Sequence, residues 1–136
     1  MPQFYQWYYP QRVVYVRFPI VTDYEFLKRA NEELLEFLRD ADKLTHILAD
    51  ARFIEDAPTN LIKIRQASPA FNSNKVGWAL LVSENPLYRF LGATVPQIVT
   101  RQRTRAYATV EEALDFLHSR EPDLDWSQAN DDLLNA

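Results

Sequence analysis

The chain of 136 residues has no cysteine, only two histidines (His46 and His118) and only two glycines (Gly77 and Gly92). Without a thiol there is no disulfide framework, no thiolate metal site and no cysteine nucleophile, and two histidines offer little from which to assemble a transition-metal cluster. Neither glycine belongs to a glycine-rich loop, so the backbone cradles that hold nucleotide phosphates are missing, which excludes a P-loop or a dinucleotide-binding Rossmann enzyme. No window approaches the ~20 uninterrupted apolar residues that a membrane span needs. The start, Met1-Pro2-Gln3-Phe4, lacks the basic-then-apolar order of a secretory signal. The expectation is a soluble, cytoplasmic protein with no cofactor.

Apolar residues make up 47% and charged residues 25%, the ordinary globular range, and the length suits one domain with one proper core. The net charge of −4 is unevenly spread: residues 121–136 carry five acids and no base, leaving 14 acids against 15 bases in residues 1–120. This divides the chain into a nearly neutral body, 1–120, and an acidic C-terminal tail, 121–136. A body with so little positive charge and no RNA- or DNA-binding signature argues against a nucleic-acid partner.

Residues 4–9 (Phe-Tyr-Gln-Trp-Tyr-Tyr) suit a pleated, half-buried strand. After a turn at Pro10-Gln11, the run 12–18 alternates, with Val14, Val16 and Phe18 on one face and Val13, Tyr15 and Arg17 on the other, and pairs antiparallel with the first strand as a hairpin. Thr22-Asp23-Tyr24-Glu25 has the spacing of a capping box. Beyond it Leu27, Ala30, Leu34, Phe37, Leu38 and Ala41 keep a helical period. The run 44–50 (Leu-Thr-His-Ile-Leu-Ala-Asp) is short and apolar on both parities apart from Thr45 and His46, which predicts a strand covered on both faces and parallel to the one before the helix. A short helix over 60–67 and a second interior strand over 76–82 follow. Asn85-Pro86 reads as an N-cap with proline at the first helical position, and Pro96 breaks or kinks that helix before Thr100. A last strand is predicted over 104–107 and a closing helix from the capping box Thr109–Glu112, with Val110, Ala113, Leu114 and Leu117 at helical spacing. The tail has few apolar groups, Leu124, Trp126, Leu133 and Leu134, and is either loosely packed through them or disordered. The predicted order is β-β-α-β-α-β-α-β-α, an α/β fold with a single mixed, mostly parallel sheet of about five strands.

Three stretches resemble the STAS-like family, which takes in bacterial anti-sigma factor antagonists and uncharacterised relatives and is itself similar to the lipid-binding CRAL-TRIO fold. They are Val13–Phe18 leading into the helix from Thr22, the strand Ile47-Leu48-Ala49-Asp50, and the closing Tyr107–Leu117. Together they cover most of residues 5–118. The resemblance implies a STAS-like domain in a bacterial cytoplasm with a protein-interaction or regulatory role. In anti-sigma factor antagonists the Asp-terminated strand is followed by a loop and a helix start whose serine is phosphorylated. Here the loop 52–61 (Arg-Phe-Ile-Glu-Asp-Ala-Pro-Thr-Asn-Leu) has neither serine nor glycine, and Thr59 is its only hydroxyl. The chain thus resembles a branch without the phosphorylatable serine.

Several residues are candidates for a site. Asp50 ends a central parallel strand, at the edge of an open α/β sheet where ligands bind; it is either a general base or ligand contact, or it caps the following turn and pairs with Arg52. Thr59 and Asn60 precede a helix start, where a phosphate would be favoured, or simply cap that helix. Lone His46 in a buried strand reads as a hydrogen-bonded core residue. Arg101, Arg103 and Arg105 alternate onto one face with Arg89 in the preceding helix, forming either an anion site or a solvated edge that discourages aggregation. The aromatic strand is too rich for one buried face, so Tyr5, Trp7 and Tyr9 are expected at an interface unless the tail covers them.

With no cysteine, no Ser-His-Asp spacing and no metal cluster, the leading expectation is a non-enzymatic interaction or regulatory module, a homodimer or a binder of a protein partner. A second is a carrier of a small apolar or anionic ligand, with an apolar pocket under the 85–100 helices and an arginine at its mouth. A third is an acid–base enzyme using Asp50.

Overall fold

The computed structural model describes residues 4–39, 41–60, 63, 64, 66, 74–91 and 103–135. Strand β1 (Tyr5–Tyr9) and strand β2 (Val13–Arg17) form the expected antiparallel hairpin. Its turn places Gln11 at φ 64 and closes with the Arg12 N–H on the Tyr9 carbonyl at 3.0 Å. Helix α1 (Tyr24–Arg39) then leads to β3 (Thr45–Asp50), which is buried at all six positions. Strand β4 (Val76–Val82), a helical stretch over 86–91, strand β5 (Arg103–Tyr107) and helix α2 (Val110–Arg120) follow, and two single 3-10 turns, Trp126–Gln128 and Asp131–Leu134, complete the tail.

The sheet runs in chain order, β1 to β5, with β2 to β5 mutually parallel. Parallel crossovers are almost always right-handed. In a sequential order this puts the connections on one face and leaves the other to whatever follows the last strand. Accordingly α1 lays Ala30, Leu34 and Leu38 over Tyr5, Val14, Val16, Ile47, Ala49 and Ala79. The opposite face, Val13, Tyr15, Leu48, Leu80 and Val82, is covered by Val110, Ala113 and Leu117 of α2 and by Leu124, Trp126, Leu133 and Leu134 of the tail. The alternation predicted for β2 is the one observed. The tail is therefore the outer layer of the second core.

Two local readings shift. The first helix is capped one residue later than its capping box suggested: the Phe26 N–H donates to Asp23 Oδ1 at 2.7 Å, while buried Thr22 turns its hydroxyl to the Pro19 carbonyl. An Asp accepts from the N3 amide as well as Thr does, and Thr22 is already held by the loop. The second box is made, with Thr109 accepting from the Glu112 N–H at 3.2 Å. Asn85 also caps as expected, its Oδ1 accepting from the Leu87 N–H. The predicted break at Pro96 and the far part of a pocket under 85–100 lie outside the described residues, as does Arg101.

Candidate functional sites at the two ends of the sheet

Strand β1 buries Tyr5, Tyr8 and Tyr9 within the chain and leaves Trp7 half-buried. Tyr5 is 2% exposed and stacks toward Phe37, and Trp7 packs edge-on against the same ring. A bulge between Trp7 and Tyr9 turns both Tyr8 and Tyr9 to the α2 face. There Tyr9 is 7% exposed against Trp126, the Tyr8 hydroxyl donates to Asp131, and the Asn130 N–H donates to the Tyr8 carbonyl at 2.7 Å. One extra residue in the strand lets both faces use its rings.

At the carboxyl end of the sheet Asp50 is 0% exposed. Its Oδ1 accepts from the Arg52 backbone N–H at 3.1 Å and from Arg52 Nε at 2.9 Å, and its Oδ2 accepts from Arg52 Nη2 at 2.8 Å and from the Tyr15 hydroxyl. Burial opposes ionisation of Asp50, but the Arg52 guanidinium, the Tyr15 hydroxyl and the Arg52 amide outweigh it and hold the carboxyl below its usual range. Tyr15 moves the other way, pushed up to about 12 by burial and by its bond to Asp50. Arg17 Nε donates to the Tyr15 oxygen at 3.1 Å, and the Phe53 ring lies under both Arg17 and Arg52, 4.7 and 5.1 Å from their guanidinium carbons. Both arginines also bind the tail: Arg17 Nη2 donates to the Leu133 and Asn135 carbonyls, and Arg52 Nη2, which also holds Asp50, donates to that of Leu134. The carbonyls of residues 133–135 thus meet the two arginines at the carboxyl end of the sheet, where open α/β sheets take ligands. Asp50 thus caps the turn through the Arg52 N–H and pairs with the Arg52 side chain.

At the amino end His46 resolves a defect in the ladder. The β3–β4 register slips between Thr45 and Ile47. The Trp78 N–H donates to His46 Nδ1 at 2.9 Å. Since Nδ1 accepts, Nε2 carries the ring proton and donates it to Glu121 Oε1 at 3.0 Å, and the same oxygen accepts from Arg12 at 2.7 Å. Burial lowers the His46 pKa, with Glu121 opposing and Arg12 and Arg103 assisting. Glu121 loses some solvation, but His46 and Arg12 hold its carboxyl below the ordinary range. Gly77 leaves room for the ring: a Cβ there would stand 2.6 Å from His46 Nδ1.

Beside this triad Trp78 and Phe116 meet edge-to-face at 4.7 Å, and both Arg105 and Arg120 sit over the pair. Arg103 and Arg105 share the face predicted for them, aligned with Trp78 and Leu80 of β4. Arg89 is not with them; its Nη1 donates to the Ser83 carbonyl at 2.8 Å, near the carboxyl end. Asn60 caps a helical turn through the Lys63 N–H, and Thr59 is exposed beside it. Sequence reasoning missed Tyr15, Arg17, Glu121 and Phe116 as partners. Each lies far along the chain from, or on a different element than, the residue it serves, and no local spacing marks it. Among the described residues no group of three or more His, Cys, Asp or Glu is placed to hold a metal ion, and no helix is long and apolar enough to cross a membrane.

No protein-family model matches the sequence, and no curated protein matches it. Among solved structures, the chain is similar to an uncharacterised protein of the DUF3478 family with a SpoIIAA-like fold from Shewanella loihica PV-4. The two share 11% identity over 77% of this chain and 82% of that one, with a TM-score of 0.53. The described residues form one five-stranded mixed sheet, and the chain has a SpoIIAA-like, that is STAS-like, α/β fold.

Proposed function

We propose that the chain is a non-enzymatic STAS-like interaction module that engages a protein partner or a second copy of itself through the carboxyl end of its sheet. The observation that carries this reading is the pair Ile20 and Val21, 56% and 59% exposed. They are not fraying residues. The Ile20 carbonyl accepts from the Glu55 and Asp56 N–H groups at 2.8 and 3.1 Å, and the Thr22 N–H donates to the Asp56 carbonyl at 2.8 Å. A hydrogen-bonded backbone therefore presents two branched apolar side chains to water, beside the 52–61 loop, whose counterpart leads to the switch serine in the family this sequence resembles. Thr59, exposed on that loop, is where a modification would act on the same surface.

A photocrosslinking residue at Val21, introduced in the native cells, tests the reading. A specific adduct, with a partner or a second copy, that disappears in Ile20→Asp is expected. No adduct above that of the same probe at exposed Glu36 on α1 would refute it.

A further inference from the structure

A positive surface lies at the other end of the sheet. Arg103, Arg105 and Arg120 are all exposed, and among the described residues none has a carboxylate at ion-pair distance or an acceptor for its N–H groups. Glu121, next in sequence to Arg120, is committed to Arg12 and His46. In a protein of net charge −4, three guanidiniums gathered on one patch, with no carboxylate partner among the described residues, are not a composition effect.

Their placement is also constrained. The Arg105 and Arg120 guanidinium carbons lie 4.9 and 5.0 Å from the Phe116 centroid and 5.5 and 5.2 Å from that of Trp78. Sharing one ring at those distances, they are at most about 10 Å apart. Arg103 is two residues from Arg105 on the same face of β5, roughly 7 Å along the strand. A guanidinium over a ring uses its face and keeps its in-plane N–H groups for a planar or tetrahedral oxyanion. The rings thereby hold two side chains whose ordering would otherwise oppose binding. They also cover the aromatic faces on which a nucleic-acid base would stack.

We propose that Arg103, Arg105 and Arg120, held on the Trp78–Phe116 platform, form a binding site for a phosphate monoester dianion. A dianion matches three unopposed positive charges better than a monoanion does, and bidentate guanidinium–phosphate bonds supply the specificity. The site is independent of the Ile20–Val21 surface.

The test is titration of the folded protein with methyl phosphate at neutral pH, followed by the arginine Nε–H and Trp78 indole resonances. Saturable shifts at Arg103, Arg105, Arg120 and Trp78 are expected. Methanesulfonate, a monoanion of similar shape, should bind at least about tenfold more weakly at equal ionic strength. Arg105→Gln and Arg120→Gln should each weaken methyl phosphate binding about tenfold, and Arg120→Lys, which keeps the charge and loses the fork, should weaken it as well. Arg89→Gln should change nothing. Shifts that rise linearly without saturating, an equal response to methanesulfonate, or unchanged affinity in Arg105→Gln and Arg120→Gln would each overturn the proposal. A phosphoserine peptide distinguishes the source: much tighter binding than methyl phosphate indicates a phosphoprotein, and equal binding a small phosphorylated molecule.

Discussion

Gly77→Ala is expected to be among the most costly single-methyl changes in this chain, and the cost should depend on His46. The new Cβ would stand 2.6 Å from His46 Nδ1, 2.7 Å from Cε1 and 3.4 Å from Leu44 Cβ. A free side chain would swing away, but this ring is fixed on both sides, by the Trp78 N–H at 2.9 Å and Glu121 at 3.0 Å. Moving it strands a buried amide, worth about 1–3 kcal/mol, and forcing a methyl into packed space costs about 1–3 kcal/mol more. The sum is about 2–6 kcal/mol, which for a chain of this size lowers Tm by roughly 7–20 °C. Denaturant unfolding of the wild type, Gly77→Ala, His46→Ala and the double variant gives the coupling directly. Once His46 is truncated the nearest contact of the alanine methyl is Leu44 Cβ at 3.4 Å, so Gly77→Ala should cost less than about 1 kcal/mol in that background. A penalty of the same size with and without His46 would refute the reasoning.

Other outcomes follow from the same contacts. Asp50→Asn removes the charge opposite Arg52 and should destabilise by about 3 kcal/mol, the low end for a broken buried pair because Arg52 can still reach water; chemical denaturation measures it. Stability should fall on acidification. His46 has a lowered folded pKa, so between that value and about 6.5 the unfolded chain binds more protons and stability drops as pH falls; depressed Asp50 and Glu121 extend the loss into the carboxylate range, which pH-dependent unfolding would trace. Nitrogen NMR of His46 should show the proton on Nε2 and a bonded Nδ1. Trp126→Ala should cost about 2–3 kcal/mol, below the range for a fully buried Trp because this indole is half-buried, and expose Tyr9 to dye binding, since the indole packs edge-on against Tyr9 and donates to the Glu121 carbonyl; unchanged Tm would show that the tail is not part of the core.

Much of the fold is legible along the chain. The alternation of Val13 to Arg17, the helical period of α1 and the doubly apolar run ending at Asp50 are local patterns, and local patterns define strand, helix and buried strand without knowledge of neighbours. The caps at Asn85 and Thr109 were equally visible, because a cap is completed within three residues. Asp50 with Arg52 was legible for the same reason. The cap at Thr22 was misplaced by one residue because Asp23 offers the same chemistry.

What the residues determine by themselves is thus the inventory: which segments form strand or helix and which of their faces are apolar. Tertiary structure decided what each exceptional residue does. The aromatic excess of β1 became a filling for two cores because one bulge turned Tyr8 and Tyr9 together, and a bulge leaves no mark in composition. His46 became the acceptor for a ladder amide because the register slipped opposite it. The acidic tail became a core layer because a sequentially ordered parallel sheet leaves one face uncovered until the chain has passed its last strand. Contacts such as Tyr15 to Asp50, Arg17 to Leu133 and Arg12 to Glu121 join positions between 35 and 116 residues apart. Closing such loops is a property of the folded chain, and no spacing along the sequence encodes it.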